Sequence, residues 1–591
     1  MRPTTAPVGT WPDVKSAASS LAARFGWRVV HYAIILRLHE HFISSGRKAA
    51  GRDWSEYFYP LVDALRFSIV KYHQFPWWNP WLLSGQPLFA EPQLAVLMPD
   101  TLFEVAFGTV VGLKLVVLFY FFVGYEGTRF LCREIFGRRP FVDAVAVIPA
   151  LITPLALHFN EGHVVFVVFY FFPWLLALAL SWQRSARRAL AFGFVIGCYL
   201  LSYIHYTIIM SATIVAPVVL VRLWKNRNVK DLWWKAALCG CAAMAMGFAR
   251  LCLTLSLVSR FPRTEEYHYP IVNSLEGIVG TLIQPFQDRT TSTVLAGLYW
   301  WELGSYVGLC ALVLAYEGFR RGERRFWSLY AGALLCLVLA WNNGDRWFPS
   351  YWLHFIPPWN YMLVITRWRL FGVFFLLLGT VHGLIGIHNR GRRHLAAGLA
   401  AFVVLDLGFH VAYGYAGMFA FDEPPVVSVA DPPRTTRDLI SQTWQDVREN
   451  MVSDGAESTL LGYGYHYPNR MYVGESGYVG EFYGGSPVTV ERWTPNRIVL
   501  RGTPGDTVTL NVNPSNYWLM NGQRLFPAYR PVEIEKPFTV TVPPGGRMEF
   551  LARPPRWPLY FLGQGAFVVA TALLFVFTSR RAAAARGTMR A

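Results

Sequence analysis

Charge is scarce in this chain: Asp, Glu, Lys and Arg make up only 15% of it, while 53% is hydrophobic. That balance excludes a soluble multidomain protein, and several apolar runs reach spanning length, so the sequence reads as a multi-pass membrane protein. Paired cysteines are missing too. The seven cysteines (Cys132, Cys198, Cys239, Cys241, Cys252, Cys310, Cys336) all fall in or beside apolar runs and form no CxxC pair, which argues against a disulfide framework or a cysteine zinc site. There is no Walker A loop, Rossmann glycine fingerprint, GxSxG elbow or HExxH motif. The first twenty residues lack the charged start and apolar core of a cleavable signal peptide.

What is present is basic charge, in a particular distribution. The net charge of +17 would suit nucleic acid, but the basic residues cluster between apolar runs, as the positive-inside rule requires, so no nucleic-acid partner is expected. Apolar segments lie near 104–126, 141–158, 163–182, 189–205, 207–223, 234–258, 303–319, 326–341, 368–387, 394–413 and 558–579. Basic clusters around Arg129, Arg184, Lys225, Arg320 and Arg390 occupy every second interval, and Arg580/Arg581 follow the final segment, which makes those sides cytoplasmic. The alternate intervals 44–103, 159–162, a turn near 206, 259–302, 342–367 and 414–557 are then extracytoplasmic. No cytoplasmic interval is long enough to hold a nucleotide-binding domain. Residues 21–43 form a weaker first span, with Arg37, His39, Glu40 and His41 in its outer half. The favoured count is twelve spans, with Arg37 facing the protein interior.

Residues 414–557 change character. The segment 434–450 reads as an exposed amphipathic helix, and the runs SPVTVERW, NRIVLRG, DTVTLNV and PFTVTV alternate like strands between Pro, Gly and Asn. The expected organisation is a transmembrane domain over 1–413 with a large first loop 44–103, an extracytoplasmic β-rich domain over 414–557, and a last helix with a basic tail over 558–591.

The first loop holds the densest chemistry, with Asp53 and Glu56 three residues apart and Trp77, Trp78 and Trp81 close behind. A carboxylate here suits a general base at the membrane surface, although Asp followed by Glu at that spacing also resembles a helix cap. Tryptophans collect at membrane interfaces and also stack on sugars. The turn Asn160-Glu161-Gly162-His163 offers a Glu and a His to a polar substrate or to each other, or is simply a polar turn. Arg263, Glu265, Glu266 and His268 cluster in a later outside loop without firm metal-ligand geometry. Arg250, Arg260, Arg367 and Arg369 lie near outer helix ends, where a guanidinium binds a lipid phosphate or snorkels to the interface. His205, His382 and Asp406 read as groups bonded between helices.

The loop residues Pro76, Trp78, Asn79, Pro80, Gly85, Pro87, Gln93 and Pro99, the turn Gly162-His163, Tyr306-Val307-Gly308, Arg367/Arg369 and VTVERWTPNRIVLRG together resemble the YfhO-like bacterial membrane proteins. The resemblance covers nearly the whole chain, and it departs at the first helix, which is unusually charged, and at Asn516-Tyr517-Trp518, where the family has a glycine before tryptophan. It implies a mainly α polytopic GT-C-like fold of about twelve membrane helices with a small extracytoplasmic β-rich domain. It also implies a GT-C glycosyltransferase that takes a sugar from a polyprenyl-phosphate carrier on the outer face of the bacterial inner membrane. Carried over by position, Asp53 is the catalytic carboxylate, and the expected substrate-binding residues are Glu56, Trp78, Asn79, Gln93, Glu161, His163, His268, Arg367 and Arg369. The acceptor class is an envelope glycan, lipid or protein. No cofactor is implied beyond the lipid-linked sugar itself, and a divalent metal stays open.

Because a polyprenyl phosphate leaves with little need of protonation, one base can suffice where glycosidases need two carboxylates. Arginines would stabilise the phosphate charge, a term that can be worth ~3 kcal/mol per donor. The rival readings are a flippase for a lipid-linked glycan and a non-catalytic envelope-binding scaffold.

Overall fold

The computed structural model describes residues 14–83, 85–203, 206–227, 231–259, 275–287, 300–341, 346–353, 355–359, 362, 364–427, 433–436, 442–453, 484–485, 487–526 and 538–587. The chain is mainly helical, with several apolar helices and a small β region near the C-terminus. Seven described helices are long and apolar enough to cross a membrane: Thr109–Phe136, Pro140–Glu161, Tyr206–Lys225, Leu232–Val258, Ile365–Asn389, Arg393–Gly414 and Trp557–Arg581. The runs expected to span near 189–205, 303–319 and 326–341 form the helices Ala186–Leu201, Leu309–Arg321 and Trp327–Ala340. Thirteen residues rise only ~20 Å, short of the ~30 Å hydrocarbon layer, so the number of crossings rests on more than helix length.

The first helix, Val14–Leu38, ends inside the polar group that the sequence assigned to its outer half, with Arg37 in its last turn and His39, Glu40 and His41 beyond it. His39 is buried and its ring lies 3.6 Å from that of Phe121. Arg37 does not face the interior as expected. Its side chain is 73% exposed and pairs with Glu40, one turn on, because the chain bends at His39 and leaves this side outside the packing.

The first loop is packed into the protein instead of projecting from it. Its start, Ala49–Ala50, pairs antiparallel with Phe419–Phe421, flanked by the ion pairs Arg47–Glu423 and Lys48–Asp422. Trp54–Phe58 form a π-helical turn leading into the helix Tyr59–Arg66. Pro60 has no N–H to offer the Glu56 carbonyl, which accounts for the wide turn. Arg250, fully buried in the helix Leu232–Val258, donates to the carbonyls of Phe89, Glu91 and Leu94 and fastens the far end of the loop.

Strands appear where alternation places them. A five-stranded antiparallel sheet has the spatial order Gln523–Arg524, Trp518–Met520, Arg547–Ala552, Arg497–Arg501, Thr489–Thr494, and Thr507–Leu510 lies between Phe538–Thr541 and Gly484–Gly485 in a second sheet. The expected exposed helix 434–450 is corrected. Arg434–Thr436 is a strand, and the described helix is Thr443–Arg448, with Trp444, Val447 and Arg448 buried. Its amphipathic face packs on the first loop: the Trp444 ring lies 4.4 Å from Tyr59, and buried Asp63 accepts from Trp444 Nε1 (2.8 Å) and Arg448 Nε (2.7 Å). A buried carboxylate needs such paired donors.

The tryptophan cluster is the core of this contact between loop and β region. Trp78 and Trp81 have no exposed surface; Trp78 meets Trp518 edge-on at 5.2 Å, and Trp81 Nε1 donates to Asn450 Oδ1 at 2.8 Å. Asn496 accepts from Trp78 N and donates to Phe75 O, while Asn513 donates to the carbonyls of Leu83 and Gly85. Asparagine suits these positions because one amide both donates and accepts toward loop backbone that would otherwise be buried without partners.

Candidate active site

Two tight turns meet at one end of the apolar helices. One holds Arg52-Asp53-Trp54, and the other is the Asn160–His163 turn that ends the helix Thr153–Glu161. Gly162 makes the approach possible. Its φ is +111°, and a Cβ built on it would lie 2.6 Å from both Asp53 Cβ and Trp54 N. No L side chain fits that space, and the left-handed backbone alone favours glycine. Trp54 locks the turns together by donating Nε1 to Phe159 O at 2.7 Å. Arg52 also has a positive φ, +59°, an arrangement that costs energy and concentrates at functional sites.

Asp53 does not cap the helix that follows it, since its side chain makes no cap hydrogen bond. Its carboxylate is turned toward the histidine, with Asp53 Oδ2 3.4 Å from His163 Nε2, and it stays 32% exposed. The other face of the His163 ring meets His158, Nδ1 to Nδ1, at 2.9 Å. Burial, with the nearby Arg367 charge, pushes the His163 imidazole well below the ordinary histidine range. A neutral His163 that keeps Nε2–H toward Asp53 accepts from His158 through Nδ1, so Asp53 ends a short relay of polar groups. Glu161 faces Arg52 at 3.5 Å.

Behind this relay lies a buried ion pair. Arg367 donates to Glu302 through Nε (3.0 and 3.1 Å) and Nη2 (2.5 Å), and the two side chains are only 10% and 4% exposed. The guanidinium sits 5.1 Å from the Phe166 ring and 5.0 Å from the Tyr206 ring, and the Asp53 charge acts on it. Trp301 brings its ring edge-on to His163 at 6.5 Å. Arg369, two residues beyond Arg367, is buried and donates to Leu303 O and Thr281 Oγ1, which anchors the Glu302 segment to the helix Trp368–Asn389. Donor atoms of His158, His163 and Glu302 all lie within 4.8 Å of one another and are the described residues that could hold a metal ion. In this arrangement the two histidines face each other and Glu302 is taken by Arg367.

Of the residues expected from the sequence, the structure brings together Asp53, Glu161, His163 and Arg367. Arg369 stands behind them as a backbone anchor. Trp78 is wholly buried in the contact between loop and β region, and Asn79, also wholly buried, accepts from Trp81 N within the loop. Glu56 and Gln93 are half-buried, and among the described residues no side-chain hydrogen bond joins either to the cluster. His268 lies outside the described residues, as do Arg260, Arg263, Glu265, Glu266 and His205. Sequence reasoning missed Arg52, His158 and Glu302. Arg52 adjoins Asp53, His158 lies two residues before the Asn160–His163 turn, and Glu302 is the last residue of the interval 259–302.

No protein-family profile matches the chain, and no curated protein matches it. Among solved structures, it is similar to an arabinofuranosyltransferase, AftD from Mycobacteria, at 16% identity and a TM-score of 0.40, over 66% of this chain and 27% of that one. It is also similar to ArnT from Cupriavidus metallidurans, whose structure has undecaprenyl phosphate bound, at 14% identity and a TM-score of 0.36, over 72% of this chain and 86% of that one. The chain thus spans about a quarter of the length of AftD and most of that of ArnT.

Proposed function

We propose that this protein is a membrane glycosyltransferase of the GT-C kind. It moves a sugar from a polyprenyl-phosphate donor to a cell-envelope acceptor at the outer face of a bacterial inner membrane. The observation that carries this reading is the junction itself: a partly exposed carboxylate, Asp53, backed by neutral His163, lies beside a buried arginine where loop and membrane helices meet. The YfhO-like resemblance of the loop points the same way.

In this reading Asp53 removes the proton from the acceptor hydroxyl as it attacks the anomeric carbon, and the configuration inverts. His163 orients the carboxylate through Nε2. Arg367, at the mouth of a membrane helix, offers its charge to the departing phosphate, and Glu302 holds the guanidinium in place until then. Proton removal by a positioned base contributes roughly 10²- to 10⁴-fold. Asp53→Asn keeps the shape of the side chain and removes the base, so glycosyl transfer should fall by at least the lower figure while the protein stays folded in the membrane. Full activity in that variant would sink the assignment. A flippase would instead move its lipid-linked glycan without forming a glycosidic bond and would tolerate Asp53→Asn.

A further inference from the structure

The helices Leu309–Arg321, Trp368–Asn389 and Arg393–Gly414 leave a groove of about 660 Å³ that is open to the surroundings and runs from Tyr306 and Asp406 to arginines at the opposite end of the bundle from Asp53. Its long wall is apolar, with Leu309, Val313, Leu395 and Phe402 all about half exposed or more. One end is cationic: Arg321, Arg390 and Arg392 line it. Glu317 gathers two of them, accepting from Arg321 Nε at 2.8 Å and from Arg390 Nη2 at 2.9 Å. Glu317 also accepts from Arg320 Nη2 at 3.3 Å, so one carboxylate faces three guanidinium groups and the end stays positive, with Arg392 adding to the excess. A second cavity next to it shares Glu317, Arg321 and Arg390 and adds Arg139, Arg325 and Glu323, the last two paired at 2.9 Å, so its lining keeps an excess of arginine over acid.

Length decides what such a groove holds. From Leu309 to Arg321 and from Arg393 to Asp406 the helices rise ~18 and ~20 Å. One leaflet with its headgroup layer is ~20 Å deep. The groove therefore matches one acyl chain along its wall and one headgroup at its arginines, and the excess positive charge selects an anionic headgroup. It is separate from the candidate active site, because Arg367 and Arg390 lie at opposite ends of one helix, ~34 Å apart along its axis.

We propose that this groove binds an anionic glycerophospholipid, with the phosphate held by Arg321, Arg390 and Arg392 and one chain lying along Val313, Leu399 and Phe402. The site is independent of the glycosyltransferase reading, since neither Asp53 nor Arg367 contributes to it.

The test uses the full chain, purified and delipidated in a non-ionic detergent, with bound lipid counted by native mass spectrometry and melting followed in parallel. Phosphatidylglycerol should bind and raise the melting temperature, and phosphatidylcholine at the same concentration should bind on the order of tenfold more weakly or less. Arg390→Gln/Arg392→Gln should weaken phosphatidylglycerol binding on the order of tenfold or more, given about 1 kcal/mol per basic group. Val313→Trp, at a position facing outward, should fill the groove and block the lipid while the lipid-free melting temperature stays unchanged. Equal binding of the two lipids, unaltered binding in both variants, or displacement by soluble glycerol phosphate at the same concentration would overturn the proposal. So would a wild-type dimer that Val313→Trp converts to monomer, because the groove would then be covered by a second copy.

Discussion

Replacing Gly162 by alanine probes the candidate site without touching any of its polar groups. The substitution has two costs. A left-handed backbone at a non-glycine residue costs ~1–2 kcal/mol. The new methyl would also meet Asp53 Cβ and Trp54 N at 2.6 Å, and the second of these is backbone that cannot rotate away. Relieving such overpacking costs ~1–3 kcal/mol, so Gly162→Ala should destabilise the protein by roughly 2–5 kcal/mol in total. The two turns must then separate, and because they carry Asp53 and His163, their 3.4 Å contact is what opens. A displacement of ~1 Å at a catalytic group can cost ~10²-fold in rate. Gly417 supplies the control: its φ is +72°, but a Cβ there meets nothing within 4 Å, so alanine brings the backbone cost alone. Thermal unfolding of the detergent-purified variants, paired with a glycosyl-transfer assay, separates the two effects. Gly162→Ala should lose more stability than Gly417→Ala, and only Gly162→Ala should lose activity out of proportion to the folded fraction. Equal losses in the two variants would refute the close approach on which the site depends.

Other expectations follow from the same geometry. Arg367→Gln leaves Glu302 buried and unpaired and should cost ~3–5 kcal/mol; adding Glu302→Gln should restore most of the stability, measured by thermal unfolding, without restoring transfer. Trp78→Ala removes a fully buried indole and should cost ~3–5 kcal/mol with an unchanged KM for whatever transfer remains, whereas a sugar-gripping tryptophan would raise KM at little cost in stability. Because burial depresses the His163 pKa below its unfolded value near 6.5, the unfolded chain binds the extra proton first. The contribution of His163 is therefore fully present above about pH 6.5 and is lost as the pH falls below it, by at most ~1.4 kcal/mol per pH unit. His163→Gln should flatten that decline in a pH series of unfolding curves.

Much of the architecture was legible because it is dictated by periodicity and solvent. Apolar runs became helices, and alternating runs such as TVERWT and RIVLR became paired strands. The candidate site was legible where a residue type was out of place, as with Asp53, Glu161-Gly162-His163 and Arg367. What stayed hidden depended on contacts between distant segments. The aromatic residues of the first loop have the same composition whether they face a sugar or the β region, and the contacts of Trp78 with Trp518 and Asn496 are what the sequence does not show. Arg250 and Arg369 read from sequence like Arg367, yet their guanidinium groups hold backbone carbonyls. Segment 434–450 reads as amphipathic from sequence, and sequence cannot say that its polar face meets buried Asp63 instead of water.

The most direct test of the central claim compares the envelope glycans of a deletion strain of the source organism, complemented with either the wild-type chain or Asp53→Asn, by mass spectrometry. The account predicts that one sugar-sized mass increment disappears in the deletion strain, returns with the wild type, and stays absent with an Asp53→Asn protein that is present in the membrane at wild-type levels. Full restoration of the increment by Asp53→Asn, or identical glycans in all strains, would contradict it.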